Sequence, residues 1–164
     1  MKEKYRFSQN SEEITIQPYF AYKMKVWILF VLSALVFGII PYVGDTVSYD
    51  VRTTAYAIAG VMTAVALYDY LFRIHVKFLF DKRTSSIYKI NGPLLKSRLM
   101  SFDEMTIINT TQHGEMEYAI APKKNQFVRN YSISDSFGSG AKSLKREEVY
   151  IEEILNPILN FVKS

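Results

Sequence analysis

The stretch of the chain closest to a known chemical motif is rich in glycine and serine and ends in lysine and serine. It extends from Gly138 to Ser143 with the sequence GSGAKS. A phosphate-binding P-loop needs glycine directly before its lysine and again six residues before it, because its backbone amides wrap closely around the phosphates. These positions hold Ala141 and Ser136 here. The pattern therefore predicts a flexible polar loop over Asp135–Ser143 instead of a nucleotide site.

Metal binding and acid–base catalysis have equally little support. The chain has no cysteine, which excludes disulfides, thiolate metal sites and a cysteine nucleophile. His75 and His113 lie in different contexts without the spacing of metal ligands, and no serine lies in a nucleophile-elbow pattern. Adjacent carboxylates indicate solvated faces at Glu12-Glu13, Asp103-Glu104, Glu147-Glu148 and Glu152-Glu153. We therefore predict a protein that is not an enzyme and binds no cofactor or metal.

Two apolar blocks dominate the first half of the sequence. The first, 26–44, contains no charged residue, and the second, 53–72, contains only Asp69. A helix needs roughly 20 apolar residues to cross a bilayer core, where only helices and closed barrels satisfy their backbone. We therefore predict a transmembrane hairpin with an external loop over 45–52. The alternative is a pair of core helices in a soluble protein, but the remaining residues are too few to cover two such helices.

Lysine and arginine are distributed unevenly around these blocks. The connecting loop contains only Arg52, and basic residues stay on the cytoplasmic side of a membrane. We therefore expect a multi-pass protein of the inner or plasma membrane, with segment 1–25 and region 74–163 both in the cytoplasm. This bias also accounts for the net charge of +4 without a nucleic-acid partner. The basic residues that flank the blocks are Lys2, Lys4, Arg6, Lys23, Lys25, Arg73, Lys77, Lys82 and Arg83.

Asp69 is the acidic residue within the second predicted span. A carboxylate at mid-bilayer would be a candidate functional site. Asp69 instead lies about one helical turn from the cytoplasmic end and precedes Arg73 by four residues, a spacing that makes two side chains neighbours on a helix. We therefore predict an interface ion pair between Asp69 and Arg73, with the long side chain reaching toward the head groups.

Small residues in the second span recur at the spacing that lets helices approach closely. Ala59 with Thr63, or Gly60 with Ala64, provides such a pair. The simplest expectation is packing against the first helix of the same chain. Formation of a homo-oligomer through the second helix is the alternative.

The hydrophobic period changes after Ile74. Six short segments with branched, aromatic and alternating residues predict strands: IHVKFLF, SSIYKIN, KSRLMSF, EMTIINTT, EMEYAIA and FVRNYSIS. The last stretch, from Leu144, predicts an amphipathic helix that has Ser143 as its N-cap and a kink at Pro157. Ile14–Gln17 predicts a further strand that could join the same sheet. The expected fold is α+β, an antiparallel barrel or sandwich of six or seven strands that a C-terminal helix closes.

This pattern resembles the bacterial pleckstrin-homology-like domains of small membrane proteins. The resemblance covers roughly Ile74 to Val162 and rests on the hairpin VKFLFDKRTSSIYKI, the strand SFDEMTIINT and the helix EEVYIEEILNPILNFV. It implies a membrane-tethered β-barrel that serves as an interaction platform, with no shared catalytic residues. In eukaryotic relatives the first hairpin and third strand bind phosphoinositides. The resemblance thus implies a patch for lipid head groups or a partner, formed by Lys77, Lys82, Arg83, Lys89, Lys96 and Arg98. The simpler interpretation is that these residues only set topology.

The predicted function is a membrane-anchored, non-catalytic binding or scaffold module at the cytoplasmic face. Its partners are membrane lipids and a protein whose identity the sequence does not give. Two alternatives remain open at this stage. An immunity protein that neutralises a membrane-acting toxin would use the short external loop, and an accessory subunit of a transporter or enzyme complex would use the transmembrane pair.

Overall fold

The computed structural model describes residues 1–43, 46–92, 95–112, 114–126 and 128–163. The chain forms two compact units. One combines Met1–Phe20 with His75–Ser164, and the other is Ala21–Ile74. The predicted boundary between the first span and the external loop lies outside the described residues, as does His113.

The second unit is a pair of long helices. Helix α1 covers Tyr22–Val43, and helix α2 covers Tyr49–Tyr68 and continues through a π-helical turn at Asp69–Arg73. Both are long and apolar enough to cross a membrane. Most of their large apolar side chains are exposed, as is typical of helices whose surroundings are lipid.

A hydroxyl group links the two helices. Ser33 is buried, and its Oγ donates a hydrogen bond to the carbonyl oxygen of Ala59 at 3.0 Å. Thr63 Oγ1 donates to the same carbonyl at 2.9 Å. Ala59 is fully buried, whereas Gly60 and Ala64 are exposed. Of the two predicted small-residue pairs, the structure thus places Ala59 and Thr63 at the contact within the chain.

The first unit contains two antiparallel sheets and a C-terminal helix. The first sheet has the order β1-β2-β3-β4-β5, and the second has the order β6-β7-β8. The strands of the first sheet are Ser8–Gln9, Glu13–Ile16, Val76–Asp81, Ser86–Asn91 and Leu95–Ser101. Those of the second are Met105–Gln112, Glu115–Pro122 and Tyr131–Ser132. The α+β class is therefore as predicted, although the last predicted strand is short.

The predicted N-terminal strand is confirmed. In β2, Ile14 pairs with Phe80 and Ile16 pairs with Phe78, both on β3. These four side chains are buried in one core, because alternate residues of a strand point to the same face. The sequence did not predict β1, which pairs with β2. The helical hairpin is thus an insertion between two neighbouring strands of one sheet.

Both sheets and the C-terminal helix contribute to that core. The fully buried side chains that meet there include Ile14, Phe80 and Ile87 from the first sheet, Ile120 from β7 and Ile133 from the segment after β8. The helix adds Tyr150, Ile154 and Ile158 at helical spacing.

The C-terminal helix corrects one prediction. It consists of α3 (Ala141–Tyr150), a π-helical turn (Ile151–Leu155) and α4 (Asn156–Lys163). Its N-cap is Gly140, not Ser143; Ser143 lies inside the first turn, where its Oγ accepts a hydrogen bond from the Gly138 amide at 2.9 Å. Pro157, where a kink is predicted, lies near the start of α4, directly after the π-helical turn. Proline has no N–H to donate to the preceding turn, and π turns are common where the regular hydrogen-bond ladder of a helix is interrupted.

The polar segment 135–143 is attached to the second sheet, whereas its composition predicts a flexible loop. Phe137 is buried, and its amide and carbonyl groups exchange hydrogen bonds with Met116 of β7 at 2.7 and 2.9 Å. An apolar side chain at the centre of this segment therefore fixes it to the second sheet.

Candidate binding surface

The first sheet turns one face to the core and presents charged side chains on the other. In β3, Phe78 and Phe80 point to the core, so Lys77 and Leu79 lie on the outer face. The row through Lys77 continues to Ile90 and Lys96, and the row through Leu79 continues to Tyr88 and Arg98. Three of the predicted basic residues therefore share the outer face.

We call Lys77, Tyr88, Lys96 and Arg98 the basic sheet face. Lys96 and Arg98 are exposed, and Lys77 and Tyr88 are half-buried. The Lys96 ammonium lies 4.2 Å from the centre of the Tyr88 ring. A cation over an aromatic ring is attracted to it by about 0.5–1 kcal/mol at an exposed site, which limits the positions that the lysine visits.

A polar groove continues this face toward the N-terminus. It has a volume of about 390 Å³ and ends at Lys77. Arg6 Nη1 donates a hydrogen bond to Gln17 Oε1 at 3.5 Å across the groove. The other lining residues are Ser8, Asn10, Glu13 and Thr15. The groove combines both charge signs with uncharged hydrogen-bonding groups, so it can accept a polar ligand.

The structure does not bring the other three predicted residues to this face. Lys89 pairs with Phe78 and so points to the core side, where its ammonium lies 5.9 Å from the Tyr131 ring. Lys82 and Arg83 lie in the turn between β3 and β4, at the other end of the strand from Lys77. The predicted patch of six is thus divided among two faces and a turn.

Asp69 is the most buried charged group of the helical hairpin, with 3 % of its surface exposed. Its Oδ1 lies 3.7 Å from Arg73 Nη1, so the structure brings the predicted pair together. Its Oδ2 lies 3.8 Å from Lys25 Nζ and accepts no hydrogen bond from any described residue. Tyr22 lies beneath the Arg73 guanidinium at 4.6 Å. Lys25 could not be identified from the sequence, because Asp69 is distant from it along the chain.

Buried tyrosines form a polar network that the sequence did not reveal. Tyr118 donates a hydrogen bond to Glu147 Oε1 at 2.7 Å, and Tyr150 donates one to the Ile133 carbonyl at 2.8 Å. Burial raises the pKa of Tyr118 to about 12, and it raises the pKa of Tyr150 well above the usual value. Both phenols are therefore neutral at physiological pH, and each donates its hydrogen bond from within the core.

Metal-ligating side chains do not cluster in the part of the chain that the structure describes. No three His, Cys, Asp or Glu side chains lie close enough there to hold a metal ion. A cavity of about 360 Å³ is lined in part by Asp103, Glu104 and Lys123. Lys123 Nζ donates to the Asp103 carbonyl at 2.7 Å, and the Ser101 amide donates to Glu104 at 3.2 Å, which lowers the pKa of Glu104.

Comparisons with known proteins add nothing to this picture. They found no matching family model, no similar curated protein and no similar solved structure. The resemblance to pleckstrin-homology-like domains therefore stands on the sequence motifs given above.

Proposed function

We propose that this protein is a membrane-anchored binding module that holds a partner at the cytoplasmic face and catalyses no reaction. The observation that carries this proposal is the insertion of two exposed apolar helices between the paired strands β2 and β3. A hairpin returns the chain to the side on which it entered. Together with the excess of basic residues at the ends of both helices, this favours a single cytoplasmic domain that is attached to the membrane twice.

We further infer that the cytoplasmic domain is a pleckstrin-homology-like barrel. Two antiparallel sheets of consecutive strands share one core with a C-terminal helix, which is the order of elements that the resemblance implies. In such a domain the surface outside the core recognises the partner, because the core itself is filled with side chains.

The surface that we assign to recognition is the basic sheet face. Its Lys77, Lys96 and Arg98 favour an acidic segment of a protein partner. The second candidate is an anionic lipid head group, which the same three charges favour. At about 1 kcal/mol for each basic residue near such a surface, three residues contribute about 3 kcal/mol, or roughly 150-fold in affinity.

Two triple variants of the full-length protein test this assignment. The first replaces Lys77, Lys96 and Arg98 with glutamine, and the second replaces the predicted residues that lie elsewhere, Lys82, Arg83 and Lys89. Both remove three positive charges, so a difference between them reports position instead of net charge. Detergent pull-down with mass spectrometry should recover one stoichiometric partner with the wild type and the second variant, and lose it with the first.

Flotation with vesicles that contain anionic or only zwitterionic lipid separates the two ligand classes. Reconstituted full-length protein should recruit the partner to both kinds of vesicle if the ligand is a protein. Recruitment of added anionic vesicles without any partner would identify lipid as the ligand. Equal loss of binding in both triple variants would contradict the assignment to the basic sheet face.

A further inference from the structure

The two sheets of the cytoplasmic domain end in four strands: β1, β5, β6 and β8. Exposed edge strands pair readily with other chains, and proteins normally protect them by shortness or by charge. β1 and β8 each have two residues, and β5 contains Lys96 and Arg98. β6 has eight residues, MTIINTTQ, without a charge, proline or glycine. It is the one of these four edges that lacks such protection.

The other side of β6 has no paired strand in the part of the chain that the structure describes. β7 pairs with it along its whole length on one side, from Met105↔Pro122 to Gln112↔Glu115. Asn109 and Thr111 are exposed in the second half of β6. An extended chain can therefore approach the unpaired amide and carbonyl groups of β6.

The side chains of β6 repeat symmetrically about Ile108. Met105 and Ile107 contact the core. The opposite face of β6 carries Thr106, Ile108 and Thr110, which are half-exposed. An antiparallel pair of β6 strands related by a twofold axis at Ile108 would place Ile108 opposite Ile108 and Thr106 opposite Thr110. A twofold axis brings residue i of one copy opposite residue j of the other and j opposite i, and pairs of threonine or other β-branched residues stabilise neighbouring strands.

We propose that two copies of this protein associate through antiparallel pairing of their β6 strands. The two three-stranded sheets then form one continuous six-stranded sheet, with Ile108 of each copy on the twofold axis. The occupant of the edge is a second copy, because the Thr106, Ile108 and Thr110 row supplies favourable β-branched pairs with itself and because pairing places no like charges opposite each other. This self-association goes beyond the binding role proposed above and does not depend on it.

Cysteine substitution tests the register directly, since the natural chain contains no cysteine. Directly opposite residues have Cβ atoms about 4.5–5.5 Å apart, close to the distance that a disulfide spans. Ile108→Cys in the full-length protein, oxidised in membranes, should therefore form a covalent dimer. Thr106→Cys is the matched control. Its symmetry mate lies four residues away along the partner strand, about 13 Å, so it should form about tenfold less dimer.

A mixture of Thr106→Cys and Thr110→Cys proteins supplies the complementary result. These positions face each other across the pair, so co-expression should restore the disulfide that each variant alone lacks. Equal cross-linking at 106 and 108, or cross-linking at Gly60→Cys of helix α2 and not at 108, would overturn the proposal in favour of another interface.

The association state of variants without cysteine provides an independent measurement. Light scattering of detergent-solubilised wild type should give the mass of a dimer. Ile108→Lys places two ammonium groups on the axis and should shift the mass to that of a monomer, whereas Ser97→Lys on the exposed β5 edge should leave it unchanged. A wild type that is monomeric in both detergent and nanodiscs, or a dimer that Ile108→Lys leaves intact, would refute the pairing.

Discussion

Removal of the helical hairpin should leave a folded, water-soluble domain. The change replaces residues 21–74 with an eight-residue glycine–serine linker, so that Phe20 is joined to His75. Eight extended residues reach about 27 Å at most, and paired strands keep Ile16 and Phe78 within about 5.5 Å of each other. The linker therefore spans the gap without strain, and its length adds little loop-closure entropy.

The magnitude of the N-terminal contribution follows from burial. Tyr5, Ile14 and Ile16 are all fully buried in the shared core. Truncation of a buried isoleucine to alanine costs about 2–5 kcal/mol, whereas a whole domain is stable by about 5–15 kcal/mol. Loss of all three side chains with β2 thus removes about as much free energy as the domain has. The fragment that begins at His75 should fail to fold.

Urea unfolding of the soluble domain provides the quantitative assay. Ile14→Ala should lower the free energy of unfolding by about 3 kcal/mol, which at a slope of about 1.5 kcal/mol per molar urea moves the midpoint by about 2 M. Thr15→Ala is the matched control, because Thr15 is the next residue of the same strand and faces away from the core. Its midpoint should change by less than about 0.5 M.

Two results would refute this reasoning. If the fragment from His75 unfolded with the same midpoint as the domain that contains residues 1–20, β2 would contribute nothing to the core. If Ile14→Ala and Thr15→Ala were equally destabilising, the register of β2 against β3 would be wrong, because a shift by one residue exchanges the two faces of a strand.

Three further predictions concern polar groups. Tyr150→Phe should destabilise the soluble domain by about 1–3 kcal/mol in urea unfolding, since a buried carbonyl loses its donor. The contribution of neutral Tyr118 to the free energy of unfolding should be fully present below about pH 10, where tyrosine in the unfolded chain begins to ionise. It should be lost as the pH rises through the folded pKa of Tyr118 at about 12. Thermal melts of Tyr118→Phe should therefore depend less on pH than those of the wild type. Glutamine at both Lys25 and Arg73 should destabilise the full-length protein in detergent by about 3 kcal/mol by circular dichroism, and Asp69→Asn should restore it, because the buried carboxylate then needs no counter-charge.

Features with strong local signals could be predicted from the sequence. The two helices follow from uninterrupted apolar runs, and β3 to β7 follow from alternation between turn signals. The strand at Ile14 could be placed in the sheet for two reasons: its residues alternate, and a hairpin of two helices was expected to bring the chain back beside β3. These inferences needed only composition, period and the sign of charges.

Features that depend on pairing could not be predicted. Lys77 and Lys89 are both basic strand residues, but their faces follow from the turn between β3 and β4, and the shift near Ile87 displaces β5 by one residue. The approach of Lys25 to Asp69 depends on how two helices pack. The same limit applies to Ser143. Whether it caps the helix depends on how the preceding loop is attached to β7.

The two proposed surfaces belong to different sheets, so a substitution can change one surface and leave the other intact. The basic sheet face lies on the first sheet, and the β6 edge ends the second, so a pair of copies joined at β6 keeps both basic faces. Two linked sites bind a repeated ligand with an avidity that can exceed either single affinity by about 10²–10⁴. Loss of charge at Lys96 or Arg98 therefore weakens each site itself, whereas Ile108→Lys leaves each site intact and removes only the gain from having two. Monovalent and bivalent acidic ligands distinguish the two kinds of loss, because only the bivalent ligand responds to the state of the β6 edge.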